Sequence, residues 1–420
     1  MKRREFLSTA GAAAAGVMVM KAGTALGYAA NSAVQMGLLG CGSRGTHVAT
    51  SFSQNTVARV VALADIFPDQ LAKGKAHFDV VNAKLNRAAI DEKMLFKGAN
   101  AYEQLATSGV EMIQISTPPF FHVEHLRAAV AAGKHVYCEK PVGIDVRQAR
   151  EALKIAKKVG AKQSVDVGFQ CRNAPPLAAA IQKIKTGAIG EVATLSGYYY
   201  APASLEKHTG APKDEYRLRN WLWDRALSGD ILVEQNIHII DLCNWVVGSH
   251  PVKAVATGGR QVLKHAGDCW DNYQVEFTYP GNVRFSFASK QFGDYGLFDA
   301  GFRVFGEKGA ASIAYAGEVK IEGAENWVWE DESQKAANGS FAANGAFGDN
   351  LKDSDREKEK SFIASIVDGP AHNQIEAGME VALTTMLGRM AGLRGHEVSW
   401  DELLQHGETY ELGMDLKQFA

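Results

Sequence analysis

The chain has 420 residues, of which 46% are hydrophobic, with a formal net charge of −2. That apolar share supports a full core, and the length predicts roughly two domains. The near-zero charge removes the electrostatic case for nucleic acid as a partner.

The chain opens with Lys2-Arg3-Arg4-Glu5-Phe6-Leu7 and an Ala-rich apolar run from Gly11 to Met20. The run is too short to span a bilayer. Residues 1–32 read as a twin-arginine export leader, with cleavage between Gly27 and Ala33 and a periplasmic destination. No later apolar stretch predicts stable membrane insertion after processing. The five cysteines (Cys41, Cys138, Cys171, Cys243, Cys269) match neither a disulfide framework nor a zinc site. They predict buried free thiols, as suits folding in a reducing cytoplasm before export, and no metal.

Residues 33–170 read as a first domain. Val34 to Leu39 is a short buried strand, followed by Gly40-Cys41-Gly42-Ser43-Arg44-Gly45 and a helix from Thr46 to Phe52. This is G-x-G-x-x-G between strand and helix. Gly40 allows the tight turn, Gly42 lets a pyrophosphate approach, and Gly45 lets helix and strand pack closely. Ser43 and Arg44 lie in the same phosphate loop. A second strand over 57–64 ends at Asp65, 20 residues after Gly45. A carboxylate there suits the ribose hydroxyls of NAD, or simply caps the strand. Arg44 keeps NADP open, because it can pair a 2′-phosphate.

Met112 to Ser116 is the next strand, broken by Thr117-Pro118-Pro119. A helix over 122–132 and a strand over 135–138 follow, then Glu139-Lys140-Pro141 at the strand's carboxyl end. Open α/β sheets bind their ligands at that end. A helix over 146–159 and a strand over 164–169 complete an α/β, Rossmann-type dinucleotide-binding unit.

GLLGCGSRG, then STPPFFHVEHLRAAVAAGKHVYCEKPVG, resembles the glucose–fructose oxidoreductase/inositol dehydrogenase (Gfo/Idh/MocA) family. The resemblance runs from about residue 34 to the C-terminus. It implies NAD(P)-dependent oxidation of a sugar or sugar derivative. It places Thr117, Pro118, His122, Glu139 and Lys140 at the cofactor, and gives Lys140 a second role polarising the substrate hydroxyl; a purely structural histidine is the alternative for His122.

Residues 171–420 read as a substrate and oligomerisation domain. Strands are predicted over 191–200, 252–258, 273–279, 283–288 and 302–305, with turns at Pro280-Gly281-Asn282 and Gly306-Glu307-Lys308-Gly309. A mostly antiparallel open sheet follows, and its exposed face predicts a homo-oligomer. Residues 336–350, rich in Ala, Gly and Asn, read as a surface loop, and a late helix runs over 376–394.

The segment from Ser228 to Asp241 is the richest in chemistry. If helical, it puts Glu234 and His238 on one face, with Asp241 close by. A carboxylate beside an imidazole raises its pKa and orients it as a general base. A plain amphipathic helix fits the spacing too. The resemblance implies a catalytic His238, with Glu234, where the family carries Asp, as a further catalytic candidate. Asp241 orients the histidine or fixes the helix, and stands among the substrate-contact candidates. Arg172 lies within reach of substrate just past the last strand of the first domain. Tyr198, Trp221 and Trp223 are carbohydrate-contact candidates, since sugar C–H faces pack on aromatic rings. Core packing is the alternative for each.

An exported enzyme has little free NAD to draw on, so the cofactor should be held tightly and recycled within each cycle. Two chemistries meet that need: exchange between a sugar pair, or net glycoside hydrolysis by transient oxidation, elimination and re-reduction, as in some family members. A non-catalytic, cofactor-bearing binding protein is the reading from another class.

Overall fold

The computed structural model describes residues 33–203, 208–264, 267–293, 298–330 and 347–419. The leader and residues 336–346 of the Ala/Gly/Asn-rich loop lie outside them. Five helices and six strands build the first layer system. β1 (Val34–Leu39), β2 (Ala58–Asp65), β3 (Leu95–Lys97), β4 (Met112–Ile115), β5 (His135–Cys138) and β6 (Val165–Val167) form one sheet in the order β3-β2-β1-β4-β5-β6. All its pairs are parallel. The helices are α1 (Ser43–Asn55), α2 (Pro68–Lys84), α3 (Ala101–Thr107), α4 (His122–Ala131) and α5 (Val146–Ala156). Helices on both faces bury the strands, so their sequences are continuous apolar runs. The strand order reverses beside β1, and the crevice between the ends of β1 and β4 is the ligand position of such a sheet.

The second sheet follows α6 (Pro175–Lys185). It contains β7 (Val192–Ala201), β8 (Lys253–Gly259), β9 (Asn272–Thr278), β10 (Arg284–Gln291), β11 (Asp299–Gly306), β12 (Gly309–Ala314), β13 (Lys320–Gly323), β14 (Trp327–Val328) and β15 (Val398–Ser399), in the order β14-β13-β12-β11-β7-β10-β9-β8-β15. Its pairs are antiparallel except β7 with β10, which run parallel. The connections carry α7 (Lys213–Arg219), α8 (Arg225–Ser228), α9 (Ile231–Glu234) and α10 (Ile237–Val247). The chain closes with α11 (Ser354–Val367), α12 (Ile375–Arg394) and α13 (Trp400–His406).

Along β7, Leu195, Gly197, Tyr199 and Ala201 are buried while Ser196, Tyr198 and Tyr200 face outward. The buried face lies under α10: a Cβ on Gly197 would stand 3.2 Å from Ile239. From Val381 to Ala391 every residue of helix α12 is buried, so that stretch is covered on every side. Its Gly378 abuts Val142 and Val167, and its Gly388 abuts Val275 and Phe277. It therefore packs on both sheets and ties them together. Its Arg389, almost fully buried, donates to the carbonyls of Ile144 and Gly229, pinning the loop after β5 to the turn that launches α9. All five cysteines are free and buried. None of the described helices is long and apolar enough to cross a membrane.

Candidate active site

The glycine loop divides its labour as the spacing predicts. Gly40 sits at φ +95°, and a Cβ there would lie 2.6 Å from the Ser116 carbonyl oxygen. A Cβ on Gly45 would lie 2.1 Å from the Gly40 carbonyl oxygen and 3.3 Å from Leu38. A Cβ on Gly42 would meet nothing within 4 Å. The outer glycines hold the turn and the helix–strand contact, and the middle one leaves open space before the first turn of α1, where Ser43 is exposed. Unpaired N–H groups and the helix dipole make that space a seat for a pyrophosphate. Asp65 is buried at the end of β2, and its two oxygens accept the amides of Cys41 (2.7 Å) and Phe67 (2.8 Å). It thus both caps the strand and faces the loop. Burial raises its pKa, against the pull of those two amides.

Lys140 reaches from the end of β5 across to α9. Its Nζ donates to the Glu234 carboxylate (2.6 Å) and to the Glu234 carbonyl (2.7 Å). Only 12% of the lysine side chain and 10% of the glutamate side chain are exposed. The peptide before Pro141 is cis. Glu234 therefore serves Lys140 and makes no hydrogen bond to His238, which corrects the sequence expectation. The reason is a helix break. α9 stops at Glu234 and α10 starts at Ile237, so the assumed continuous i,i+4 geometry does not exist.

His238 stands at the start of α10, 7% exposed, with Nδ1 buried and unpartnered. Its pKa is held well below the ordinary histidine value, first by burial and then by the Lys140 ammonium. The expected carboxylate-raised imidazole is thus a neutral one close to a cation. Asp241 does not orient it either: Arg172 takes Asp241 with Nε (2.9 Å) and Nη2 (2.6 Å), which leaves Asp241 the other expected role, that of fixing the helix. The Arg172 guanidinium also lies over Phe169 and Trp245. The arginine fixes α10 to the segment after β6 and is not extended toward a ligand.

The first-domain model of this family, described as an oxidoreductase family with an NAD-binding Rossmann fold, matches residues 34–167. The GFO/IDH/MocA C-terminal domain model matches residues 177–312. The chain belongs to the Gfo/Idh/MocA oxidoreductase family. An inositol 2-dehydrogenase of Rhizobium meliloti (strain 1021) is 28% identical over 291 residues, 69% of this chain and 78% of the relative. A D-glucoside 3-dehydrogenase of Escherichia coli (strain K12) is 29% identical over 185 residues, 42% of this chain and 48% of the relative. A levoglucosan dehydrogenase solved with NADH and levoglucosan shares the fold at a TM-score of 0.69 and 17% identity, over 87% of this chain and 99% of that one.

The first domain of this family member is thus NAD-binding, and Arg44 bears on the choice between NAD and NADP. Its guanidinium is held by Asp355 of α11 (Nη1 2.8 Å, Nη2 2.9 Å) and by Glu139 (Nε 2.9 Å). The expected phosphate partner is instead the hub of a buried ion cluster that includes Lys358. Burial alone would push Asp355 up, but Arg44 and Lys358 outweigh it and hold the carboxyl well below its usual range. Glu139 is likewise held low, burial being outweighed by Arg44 and Lys358. Nothing in the sequence between Gly45 and α11 signals this pairing, which joins residues 311 positions apart.

The remaining expectations divide. Thr117 and Pro118 lie at the end of β4, with Thr117 Oγ1 3.0 Å from His125 Nδ1. His122 is buried, its ring nitrogens 2.7 Å from the carbonyls of Pro141 and Thr117. It clamps the loops after β4 and β5 together, the structural use of the two expected. Burial lowers its pKa. Tyr198 points to the outer sheet face, stacked on Tyr200 at 5.2 Å, in a shallow groove of about 460 Å³ with Thr257 and Gln274. That is the face opposite α10, so the substrate-contact expectation fails by one residue of strand parity. Its neighbour Tyr199 faces inward, and its pKa is raised by burial and then by Glu234. Trp223 is 2% exposed in the core, and Trp221 packs in an apolar cluster with Phe67 and Phe121. Trp223 thus has the core-packing role, and Trp221 is only partly covered by its cluster.

Proposed function

We propose that the protein is an NAD-dependent dehydrogenase acting on a secondary alcohol of a neutral sugar or cyclitol. The observation that carries this reading is the buried Lys140–Glu234 pair beside a neutral, partnerless imidazole, at the carboxyl end of the NAD-binding sheet. The nicotinamide, when bound, supplies the hydride acceptor. Glu234 fixes the Lys140 ammonium, which polarises the substrate hydroxyl and steadies the negative charge on its oxygen as the proton leaves. His238 takes that proton. A depressed pKa leaves it unprotonated at neutral pH, so the base is ready without first losing a proton. Tyr199 backs Glu234 from the sheet.

The reading includes export through the twin-arginine pattern at Lys2–Leu7, an internally recycled cofactor and assembly through the outer sheet face, where Tyr198, Tyr200 and the half-exposed Val255 lie. The test is to denature the purified protein, quantify released NAD(H), and expose the native form to neutral sugars, cyclitols and glycosides. Stoichiometric NAD(H), with reduction of the bound cofactor by a sugar or cyclitol, is expected. Release of an aglycone without net reduction would shift the reading to glycoside cleavage by transient oxidation. Absence of both bound and bindable NAD would overturn it.

A further inference from the structure

We infer that the C-terminal segment 407–419 is part of the NAD site, closing it at the adenosine end. In a doubly wound sheet the ribose meets the acid at the end of the second strand and the ligand crevice opens at the carboxyl ends of the strands where their order reverses, so the segments that follow β2 and β4 flank the adenosine end. Here these are Ile66-Phe67, next to Asp65, and Phe120-Phe121. Both join one apolar cluster with Trp221 of the second domain and with Leu412, Met414, Leu416 and Phe419 of the C-terminal segment. The rings of Phe67 and Phe419 meet edge to face at 5.7 Å.

The segment is built to lie there. From Tyr410 to Leu416 its apolar residues alternate with exposed ones, half-buried at 410, 412, 414 and 416, the pattern of an extended strand with one covered side. It is anchored along its length. The Tyr410 amide donates to the fully buried Asp145 carboxylate (2.9 Å), and Arg389 lies over the Tyr410 ring. Arg217 donates to the Leu412 carbonyl (3.2 Å), and Gln418 Nε2 donates to Asp214 (2.9 Å). Arg219 covers the Phe67 ring at 3.8 Å and is held by Asp69 and Glu215. Phe67 thus meets both a paired arginine and Phe419, two residues past Asp65, the acid at the position that serves the ribose in such a sheet. The contacts of the segment run to Asp145, Arg389, Arg217, Asp214 and the Phe67 cluster, so it governs how firmly the cofactor is held and leaves proton transfer to Lys140 and His238. Phe419 acts through Phe67 and is a positioning residue.

The inference rests on the NAD-binding character of the first domain and is independent of the substrate. It is tested on the full-length protein, stripped of cofactor, with Phe419→Ala and Leu416→Ala. Binding of NADH, ADP-ribose and reduced nicotinamide mononucleotide is titrated by fluorescence or calorimetry. An aromatic contact of this kind is worth about three- to tenfold in affinity. Phe419→Ala should therefore weaken NADH and ADP-ribose by about that factor, speed NADH release to match, and leave the mononucleotide unchanged. Unchanged NADH and ADP-ribose affinity overturns the inference. So does an equal loss for the mononucleotide, which would mark general loosening of the domain.

Discussion

The glycine loop and the α9–α10 segment were both read from short spacings, and they behave differently. In the loop backbone geometry sets every role. Gly45 is held to glycine by the Gly40 carbonyl five residues earlier and Gly40 by the Ser116 carbonyl at the end of β4, while Gly42 leaves open space. At α9–α10 an equally short spacing predicts Glu234 on His238. The helix breaks at Gln235-Asn236, and Lys140, 94 residues earlier in the chain, takes the carboxylate. Short-range spacing is reliable where backbone geometry decides, and unreliable where a buried charge must find whichever counter-charge the fold delivers.

That contrast can be broken or sharpened by substitution. Lys140→Met should have the largest effect, lowering turnover by about 10²–10⁴-fold while NAD still binds. It should also move the acid limb of the pH–rate profile up. In the parent that limb lies below the ordinary histidine range near about 6.5, because burial and the ammonium favour the neutral ring and the base stays competent as pH falls. Loss of the ammonium lets the ring protonate earlier. A limb that stays put in the variant would separate His238 from Lys140.

Asp355→Ala leaves Arg44 with half its charge partners removed in a buried site. It should cost about 3–5 kcal/mol of stability, read by denaturant unfolding. Asp355 is held low, so its contribution is present at neutral pH, above the unfolded carboxylate value, and is lost as pH falls through its depressed folded value. Glu234→Gln keeps the shape and the carbonyl contact but removes the charge that fixes Lys140. About a tenfold drop in kcat is expected, with a smaller change in KM, since charge-assisted hydrogen bonds exceed neutral ones by roughly a kcal/mol or more.

These sites also show what the sequence could and could not carry. The first sheet was legible because parallel strands buried on both faces are apolar runs, and because Gly, Pro and Asp mark their ends. In the second sheet the strands Val192–Ala201 and Asn272–Thr278 were legible from alternation, but not which face met α10. Tyr198 and Tyr199 differ only in parity, and the parity is fixed by Gly197 packing on Ile239. The short β3 and β14, and the whole role of α11, carry too little periodicity to announce themselves. The aromatic density around Trp221 and Trp223 suggested a sugar platform because composition does not distinguish an interdomain cluster from a binding wall. Tyr198→Ala is accordingly the smallest of the expected effects: KM for sugar should stay within error, and only association between chains should respond.

The most direct test concerns His238. Bound NAD⁺ in the parent and in His238→Ala is mixed with a neutral sugar or cyclitol that the parent oxidises, and the single-turnover rate of nicotinamide reduction is followed, with NAD affinity measured beside it. The account predicts equal NAD affinity and a loss of reduction rate of about 10²–10⁴-fold, which partly returns as pH rises and hydroxide replaces the missing base. Equal reduction rates in the two proteins would contradict it and move the proton-accepting role away from α10.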